Sequence, residues 1–397
     1  MVMPGEPLLI CEMVSALCAA IAANVAEKAA PPARRTTLNK GLRRSSAFWQ
    51  EAKHARPDGD VMTDFDSLSH DEQLPILLEL ANEALSHYDL PSGSKASMLN
   101  LSENATYKVE DPDGRRFALR VHREGYHSKQ AIASELAWEI DLRQTGVVTT
   151  PNPIKGKDGE IIQEVSHQRM AHPRNVVLFD WETGAEPGIG EDLSERFEVL
   201  GEITARMHVH SRQWKRPSWF TRLAWDFETS LGEDKPHWGR WRDGVGMDRE
   251  KEQLFQRTVD LIGRRLKAYG KGSDRFGLIH CDLRLANLLI DGKAVKVIDF
   301  DDCGFGWYMY DAATPVSFYE HEPQVPGLIE SWKKGYRKVL SIPKKDEVEI
   351  PTFIMLRRIL LVAWISSHIE AEFPKSLGAG YTDGTLPLCE AYLRHFS

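Results

Sequence analysis

Cysteine is scarce in this chain of 397 residues: there are five, and they are scattered along it. No two of them have the spacing of metal ligands, which argues against a zinc site. An odd, scattered set is typical of reduced cytoplasmic thiols rather than of a disulfide framework. Cys281 and Cys303 flank the motif described below, and we expect both to pack as small hydrophobic side chains.

Positive charge is also in deficit. The chain has 50 lysines and arginines against 58 aspartates and glutamates, a formal net charge of −8. It contains no basic strip interleaved with aromatic residues. Because nucleic-acid binding requires clustered cations that neutralise phosphates, this composition argues against a nucleic-acid partner.

Long uninterrupted apolar runs are missing as well. The apolar segment 8–26 contains Glu12 and Asn24 and follows a stretch without positive charge, so it fits neither a membrane-spanning helix nor a signal peptide. We therefore predict a cytoplasmic protein without membrane contact. Residues 1–61 show no clear periodicity and are predicted to form a disordered or weakly structured extension, with Met62 as an alternative start.

The remainder of the chain divides into two parts by its pattern. A chain of this length exceeds one typical core, so two lobes are expected. Residues 62–182 contain short apolar segments separated by turns, which predicts a strand-rich lobe. Two helices are predicted in it, one that begins at Ser69 and carries an apolar stripe to Ala81, and one over 129–143. Apolar residues in 183–397 recur at steps of three and four, as from Leu193 to Met207, and residues 356–369 read as a long apolar helix, which predicts a larger helical lobe.

Three oxygen-bearing side chains between short apolar runs form the most informative motif. Asn287 lies five positions after Asp282, and Asp299 lies twelve positions further on. In phosphoryl transfer one carboxylate orients the attacking hydroxyl, while an amide and a second carboxylate hold Mg²⁺ against ATP. We therefore predict that Asp282 is catalytic and that Asn287 and Asp299 bind Mg²⁺. Arg284 is predicted to neutralise charge on the transferring phosphoryl group, and His280 to brace the loop.

The strand predicted over 117–121 can supply a phosphate-binding cation. Period-two alternation places Ala118 and Arg120 on one face of this strand. Kinases use such a pair, because the small side chain leaves space for adenine while the cation reaches the phosphates. Glu135, on the helix that follows, is predicted to pair with Arg120 and hold it in place.

The run His280-Cys281-Asp282-Leu283…Asn287 resembles the catalytic loop of the aminoglycoside phosphotransferase and choline kinase superfamily, whose members are small-molecule kinases. The similarity extends over roughly residues 70–370. The resemblance implies an α+β, bilobal, protein-kinase-like fold, with a nucleotide-binding lobe of residues 62–182 and a catalytic and substrate lobe of residues 183–397. Further segments resemble its bacterial branch of homoserine-kinase-like or stress-response-kinase-like proteins: Ala118 to His122, Tyr126 to Ser128, Ser134 to Trp138, Val177 to Trp181 and Tyr310 to Ala313.

The same resemblance implies how the nucleotide binds. Residues 177–181 would form the hinge between the lobes, where backbone groups near Phe179 and Asp180 bond to adenine. Arg120 stands where protein kinases carry lysine, and its guanidinium fork also suits phosphate. Asp301 replaces the glycine of the protein-kinase metal-binding triplet, which adds a carboxylate for the metal or the substrate.

The loop expected over the phosphates, residues 101–106, contains no glycine. Its backbone amides can still bind phosphate, and we predict that Ser102 and Asn104 assist them, although glycine's permissive geometry is missing. Glu103 would lie close to the triphosphate unless its side chain points outward.

Residues after Asp299 are expected to shape the acceptor pocket, since they lead into the helical lobe. Aromatic rings and carboxylates suit an ammonium-bearing, hydroxylated substrate, although these residue types are usually core or solvated surface. Asp311 is instead predicted to cap a helix or brace the catalytic loop. The pocket candidates are Asp302, Trp307, Tyr308, Tyr310, Tyr319, Glu320, His321, Glu322, Trp364, His368, Glu370 and Glu372.

The leading interpretation is an ATP- and Mg²⁺-dependent kinase that phosphorylates a hydroxyl of a small, amino-containing metabolite of the homoserine, choline or aminoglycoside kind. Transfer would be direct, since no His or Cys is placed to take the phosphoryl group. One alternative is a protein Ser/Thr kinase of the same fold, although no Ala-Pro-Glu element follows Asp299. Another is a nucleotide-binding regulator without catalysis, although Asp282, Asn287 and Asp299 are all retained. The sequence leaves the acceptor and the oligomeric state open.

Overall fold

The computed structural model describes residues 65–188 and 193–396. The predicted extension over residues 1–61 and the alternative start at Met62 lie outside the described residues. Within the described ranges, no helix combines the length and apolar character needed to cross a bilayer. Cys281, Cys303 and Cys389 are buried and free, and the other two cysteines precede the described part.

The first lobe is built on an antiparallel sheet in which β1, β2, β3, β6 and β4 are successive neighbours and β5 also pairs with β6. In β2 and β3 every second residue is buried, as the alternation of their sequences predicts. The β2–β3 hairpin turns at Asp111, whose Oδ1 accepts the N–H groups of Asp113 and Arg115. The strands are β1 (Lys95–Leu101), β2 (Ala105–Glu110), β3 (Arg116–Val121), β4 (Pro153–Ile154), β5 (Gln163–Val165) and β6 (Arg174–Asp180).

Two helices complete this lobe, α1 (His70–Ala84) and α2 (Lys129–Gln144). Helix α2 starts at Ser128, whose hydroxyl accepts the N–H of Ala131 at 3.2 Å and so satisfies one free donor of the first turn. This agrees with the helix predicted over 129–143.

The second lobe is mainly helical, with short strands that carry the site. Its helices are α3 (Ser194–Gln213), α4 (Phe227–Leu231), α5 (Arg249–Tyr269), α6 (Val325–Tyr336), α7 (Lys344–Glu347), α8 (Ile350–Ser367) and α9 (Glu372–Phe396, kinked at Gly378). Its strands are β7 (Ala224–Trp225), β8 (Phe276–Ile279), β9 (Leu288–Asp291), β10 (Ala294–Val297) and β11 (Gly304–Trp307). Strands β9 and β10 form a hairpin, and β11 lies between β7 and β8.

Helices α3 and α6 approach each other backbone to backbone. A Cβ atom added to Gly201 would overlap the carbonyl of Trp332, and one added to Gly335 would overlap the carbonyl of Glu198. The two glycines therefore permit the close crossing on which this part of the core depends.

Helix α8 is buried on nearly every side. Its two central arginines must therefore be paired, because an uncompensated buried charge is costly. Arg358 donates to Glu320 at 2.7 Å, and Arg357 turns toward the site described next. A long apolar helix was predicted here from the sequence; the buried arginine pair was not.

Residues 181–188 lead from β6 toward α3. Ala185 exchanges both backbone hydrogen bonds with Ile290 of β9, at 3.0 and 2.8 Å. This segment thus contacts the hairpin that follows the catalytic motif. The division of the chain at residue 183 stays a prediction.

Candidate active site between the lobes

Strand β8 delivers the catalytic loop, and Asp311 holds the loop in position. The Asp311 carboxylate accepts the N–H of Cys281 at 2.9 Å and the N–H of His280 at 3.2 Å. The imidazole of His208 contacts the same carboxylate at 3.1 Å. Asp311 thus fixes the backbone of the catalytic loop, which is one of the two roles predicted for it.

His280 is a second brace. Its Nδ1 accepts the N–H of Asp282 at 3.2 Å, so its Nε2 is assigned as the donor to the carbonyl of Ile298, at 3.3 Å. Burial lowers the pKa of His280 despite the neighbouring carboxylates of Asp311 and Asp282. A neutral ring with both nitrogens engaged positions the loop and is not placed to carry protons.

Asp282 lies at the centre of the site and contacts two arginines and an amide. Arg357 donates to its Oδ1, while Arg284 and Asn287 donate to its Oδ2 at 3.1 and 2.8 Å. Burial acts to raise the pKa of Asp282, but the two guanidinium groups outweigh it and hold the pKa below its usual value. Asp282 is therefore an oriented carboxylate anion.

Arg120 occupies the opposite wall and bridges two acids. Its guanidinium donates to Glu135 at 2.6 Å and to Asp299 at 3.2 Å. Glu135 is fully buried, whereas the side chain of Asp299 is 45% exposed. The structure therefore brings together the cation, its predicted partner and one predicted metal ligand.

Backbone strain is concentrated at this site. Among the described residues, positive φ angles outside glycine occur at Cys281 (70°), Asp299 (62°) and Phe318 (76°). Cys281 precedes Asp282, and Asp299 and Phe318 line the same cavity as Asp282. Such conformations cost free energy and persist where the surrounding structure enforces them, commonly at functional sites.

The donor atoms present suit a hard cation. Asn287 donates its amide N–H groups to Asp282, so its carbonyl oxygen is the atom left for a ligand. No three His, Cys, Asp or Glu side chains converge as a metal cage in the part of the chain that the structure describes. A protein amide and one carboxylate, completed by phosphate and water, is the arrangement that Mg²⁺ commonly takes at nucleotide sites. Asn287 and Asp299 fit that arrangement.

The loop over the cleft, between β1 and β2, is tied to the second lobe. The Asn104 amide donates to Asp301 at 2.9 Å and accepts the N–H of Arg123 at 3.1 Å, so both of its ends are occupied within the protein. Burial raises the pKa of Asp301 to about 6, against the opposing effect of Arg120. Ser102 lines the cleft. Phosphate binding by Ser102 and Asn104 stays a prediction.

The Glu103 side chain reaches toward α8 and still lines the cavity that contains Asp282 and Asp299, so the expectation that it points outward is not met there. Its Oε1 accepts the indole N–H of Trp364 at 2.6 Å and lies 3.5 Å from Nε2 of His368. Burial acts to raise the pKa of Glu103, but His368 and the Trp364 hydrogen bond outweigh it and lower that pKa. Glu103 is thus an anion held between the lobes.

The segment predicted to be the hinge is the end of strand β6, which lies inside the sheet. Phe179 pairs with Ala118 across the sheet, and its ring lies 5.5 Å from the guanidinium carbon of Arg120. The backbone N–H of Asp180 donates to Asn152 at 2.9 Å, so the fold already uses that donor. Adenine binding by Phe179 and Asp180 stays a prediction.

A cavity of about 60 Å³ adjoins Asp282 and is lined also by Arg120, Ser102 and Asp299, the groups predicted to bind phosphate and metal. Of the twelve pocket candidates from the sequence, only Asp302 and Trp364 line it, while His368 reaches it through Glu103. The others form core contacts, bond to buried arginines or lie on the surface, because helical spacing does not reveal which face meets the cleft. Sequence reasoning missed five lining residues: Asn100, Trp238, Phe318, Arg357 and Leu361. An arginine pair inside an apolar helix was the available signal for Arg357.

Comparisons with known proteins agree on one family. The family model described as "Phosphotransferase enzyme family" matches residues 100–344. A solved structure of the microcompartment-associated aminopropanol kinase is 45% identical, covers 80% of this chain and 98% of its own, and has a TM-score of 0.74. Its likeness confirms the bilobal α+β fold predicted from the sequence.

Two amicoumacin kinases are also similar. That of Bacillus subtilis (strain 168) is 27% identical over 341 residues, which is 81% of this chain and 94% of that protein. The structure of amicoumacin kinase hAmiN in complex with AMP-PNP, Ca²⁺ and Ami is 20% identical, covers 81% of this chain and 93% of its own, and has a TM-score of 0.65. At that identity the second likeness shows the fold alone.

Proposed function

Because the chain belongs to the phosphotransferase enzyme family, we propose that it transfers the γ-phosphoryl group of ATP, with Mg²⁺, to the hydroxyl of a small amino alcohol. Membership confirms the superfamily that the catalytic loop resembles. Together with the aminopropanol and amicoumacin kinases it also confirms the enzyme class, a small-molecule kinase. The donor, the metal, the acceptor and the roles of individual residues are our proposal.

One observation carries the proposal: Asp282 faces the cavity as an anion fixed by Arg357, Arg284 and Asn287. A carboxylate held in this way can accept a hydrogen bond from the acceptor hydroxyl and align its oxygen with the phosphorus. Arg284, beside it, can stabilise charge on the transferring group.

The opposite wall supports nucleotide binding. Arg120, fixed by fully buried Glu135, would contact phosphate oxygens. Asn287 and Asp299 would hold Mg²⁺, which when bound neutralises charge on the phosphates. Asp299 also forms an ion pair with Arg120. The predicted metal ligand and the predicted phosphate-binding cation are therefore in direct contact.

An amino alcohol is the acceptor that the cavity favours. At about 60 Å³, the cavity that Asp282 shares with the phosphate-binding groups favours a short acceptor over an aminoglycoside. Aromatic rings and carboxylates on its walls suit an ammonium group. The aminopropanol kinase named above, at 45% identity, supports this choice.

The remaining predictions belong to the same proposal. We place the enzyme in the cytoplasm, supported by the free, buried thiols of the described residues. Its partner is a small molecule. A protein kinase of this fold would need room for a polypeptide beside Asp282, and the small volume of the cavity argues against it.

A screen of ATP consumption tests the proposal. Purified protein is assayed with Mg²⁺ and 1-aminopropan-2-ol, ethanolamine, homoserine, an aminoglycoside or a protein panel. We expect turnover with a short amino alcohol and its loss when EDTA removes the metal. Turnover only with the protein panel would contradict the proposal.

The Asp282→Asn variant tests the mechanism. We expect kcat to fall by roughly 10²–10⁴-fold, the usual contribution of a positioned acid or base, while calorimetry finds ATP binding nearly intact. Asp234→Asn, the same substitution at an exposed residue, is the matched control and should retain full activity. A fully active Asp282→Asn enzyme would refute the assignment.

A further inference from the structure

The cavity beside Asp282 is lined by residues of both lobes. Glu103 comes from the loop between β1 and β2, whereas Asp302, Trp238 and Trp364 come from the helical lobe. A molecule in this cavity would therefore contact the loop predicted to cover the phosphates as well as the catalytic side.

The cations of the cavity are already paired. Arg284 and Arg357 donate to Asp282, and Arg120 donates to Glu135 and Asp299. Each guanidinium is thus compensated by an acid that belongs to the phosphoryl-transfer machinery.

Glu103 and Asp302 are left without such a partner. Among the described residues, neither forms an ion pair with a lysine or an arginine; Glu103 has only His368, at 3.5 Å. The two carboxylates also disfavour each other: burial first, and then the charge of Glu103, raise the pKa of Asp302. Burial therefore keeps Asp302 from ionising, and among the described residues His368 is the cation that balances Glu103 at close range. An ammonium group between the two would find acceptors for its N–H donors and would favour the charged form of both carboxyls.

Both carboxylates are held in place before any ligand arrives. Asp302 accepts the hydroxyl of Tyr126 at 2.8 Å, and that hydroxyl accepts the indole N–H of Trp238 at 3.1 Å. Glu103 is fixed by the indole N–H of Trp364 at 2.6 Å. Preorganised acceptors of this kind bind a ligand cation without the entropic cost of ordering them.

The walls between them are aromatic. The rings of Trp238 and Trp364 meet edge to face at 6.4 Å between centroids, and Phe318 lies 5.9 Å from Trp364. Arg357 lies over the Trp238 ring at 5.2 Å and His368 stacks on Trp364 at 5.1 Å. The remaining ring surface favours an organic ammonium over a hydrated metal ion, because it can also bury the alkyl part of the ligand.

We propose that Glu103 and Asp302 bind the ammonium group of the acceptor, and that Glu103 sets the preference for an amine over a neutral alcohol. This inference rests on the proposed function. The acceptor's amine lies between the lobes, and its hydroxyl reaches Asp282. The small volume of the cavity favours a short amino alcohol.

The decisive experiment compares two acceptors of nearly equal shape, 1-aminopropan-2-ol and propane-1,2-diol. In Glu103→Gln we expect kcat/KM for the amine to fall roughly 10- to 100-fold, mainly through KM, since a hydrogen bond to a charged group is lost. kcat/KM for the diol should stay within about threefold, because a neutral hydroxyl gains little from the carboxylate's charge. The preference for the amine thus collapses.

Three controls keep the result interpretable. Glu83→Gln, at an exposed glutamate of α1, should keep the wild-type preference. Asp302→Asn is an independent second variant and should also lose the amine selectively. The KM for ATP and the melting temperature of each variant separate acceptor binding from damage to the phosphate loop or to the fold.

The outcomes are distinguishable. If the wild type is active on the amine while Glu103→Gln and Asp302→Asn both keep its preference, or lose amine and diol equally, the inference is overturned and the proposed function stands. If the wild type phosphorylates no amino alcohol, the proposed function is wrong, and so is the inference that rests on it.

Discussion

At the scale of the residue, Asp282 is held more tightly than its role as a proton acceptor would require. Two guanidinium groups and an amide contact its carboxylate, and they keep its pKa below the usual value. A weakly basic carboxylate contributes mainly by orienting the hydroxyl, and it takes up the proton as the new bond forms. Its position therefore matters more than its basicity.

Arg357 is accordingly expected to act as a positioning residue. It is buried and also contacts Ser317 at 3.1 Å and Tyr310 at 3.3 Å. In Arg357→Gln we expect kcat to fall roughly 10- to 100-fold, since a 1 Å misplacement of a catalytic group can cost about 10²-fold. The KM for ATP should change little, and stopped-assay kinetics at saturating ATP would measure both constants.

The Arg357→Lys variant separates positioning from packing. It keeps the charge near Asp282 but not the fork that also reaches Ser317 and Tyr310, so partial recovery of kcat is expected. If Gln and Lys variants both show wild-type kcat while their melting temperatures fall, Arg357 is structural only.

The distance along the chain explains which of these residues sequence reasoning finds. Arg284 stands two positions from Asp282, inside a motif whose spacing indicates chemistry. Arg357 lies 75 positions from Asp282 along the chain, and the hydrogen-bonded residues Glu103 and Trp364 are 261 positions apart. Only the packing of α8 against the catalytic loop brings these side chains to the site, and packing has no signature in local spacing.

At the scale of the element, the crossing of α3 and α6 depends on two glycines. A Cβ at Gly335 would overlap the backbone carbonyl of Glu198, which cannot move without shifting α3. In Gly335→Ala we expect a loss of roughly 1–3 kcal/mol or more in the free energy of unfolding, as is usual for overpacking. Thermal and urea denaturation would measure it.

The same helix offers the matched control. Gly327 lies near the start of α6, and nothing lies within 4 Å of a Cβ added there. Gly327→Ala should be neutral or stabilising by up to about 1 kcal/mol, since alanine favours the helix. Equal effects of the two substitutions would show that the crossing does not set the stability of this core.

Periodicity predicts helices better than it predicts their neighbours. The apolar steps from Leu193 indicated the helix observed as α3, and the alternation over 117–121 indicated β3. Nothing in either pattern indicates that α3 packs on α6. Helix α5 was not identified beforehand, although Phe255, Ile262 and Leu266 recur at helical spacing opposite its charged face. Helix α6 was not identified either, since a proline and two glycines interrupt its pattern.

At the scale of the whole molecule, the described residues form a complete pair of lobes around the site. Side-chain contacts that join the lobes across the cleft include those of Asn104 with Asp301, Arg120 with Asp299, and Trp364 with Glu103. The family match likewise begins at residue 100. All the residues that we assign to function therefore lie beyond residue 61.

Deletion of residues 1–61 is expected to leave activity intact for this reason. The chain from Met62 should keep kcat and KM within about twofold of the full chain, and its melting temperature within a few degrees. The reason is that every residue assigned to the site is retained. ATP consumption with the best acceptor and a thermal melt would measure this. Loss of activity or solubility on deletion would show that the segment belongs to the functional protein.

The contact between Glu103 and Trp364 also bears on how such enzymes can diversify. If a residue of the nucleotide lobe helps to select the acceptor, the helical lobe alone cannot carry that selectivity into another enzyme. A chimera that joins this helical lobe to the nucleotide lobe of a relative would keep phosphoryl-transfer competence yet lose its acceptor preference. New acceptors would then arise through paired changes in both lobes, which narrows the evolutionary routes available to the fold.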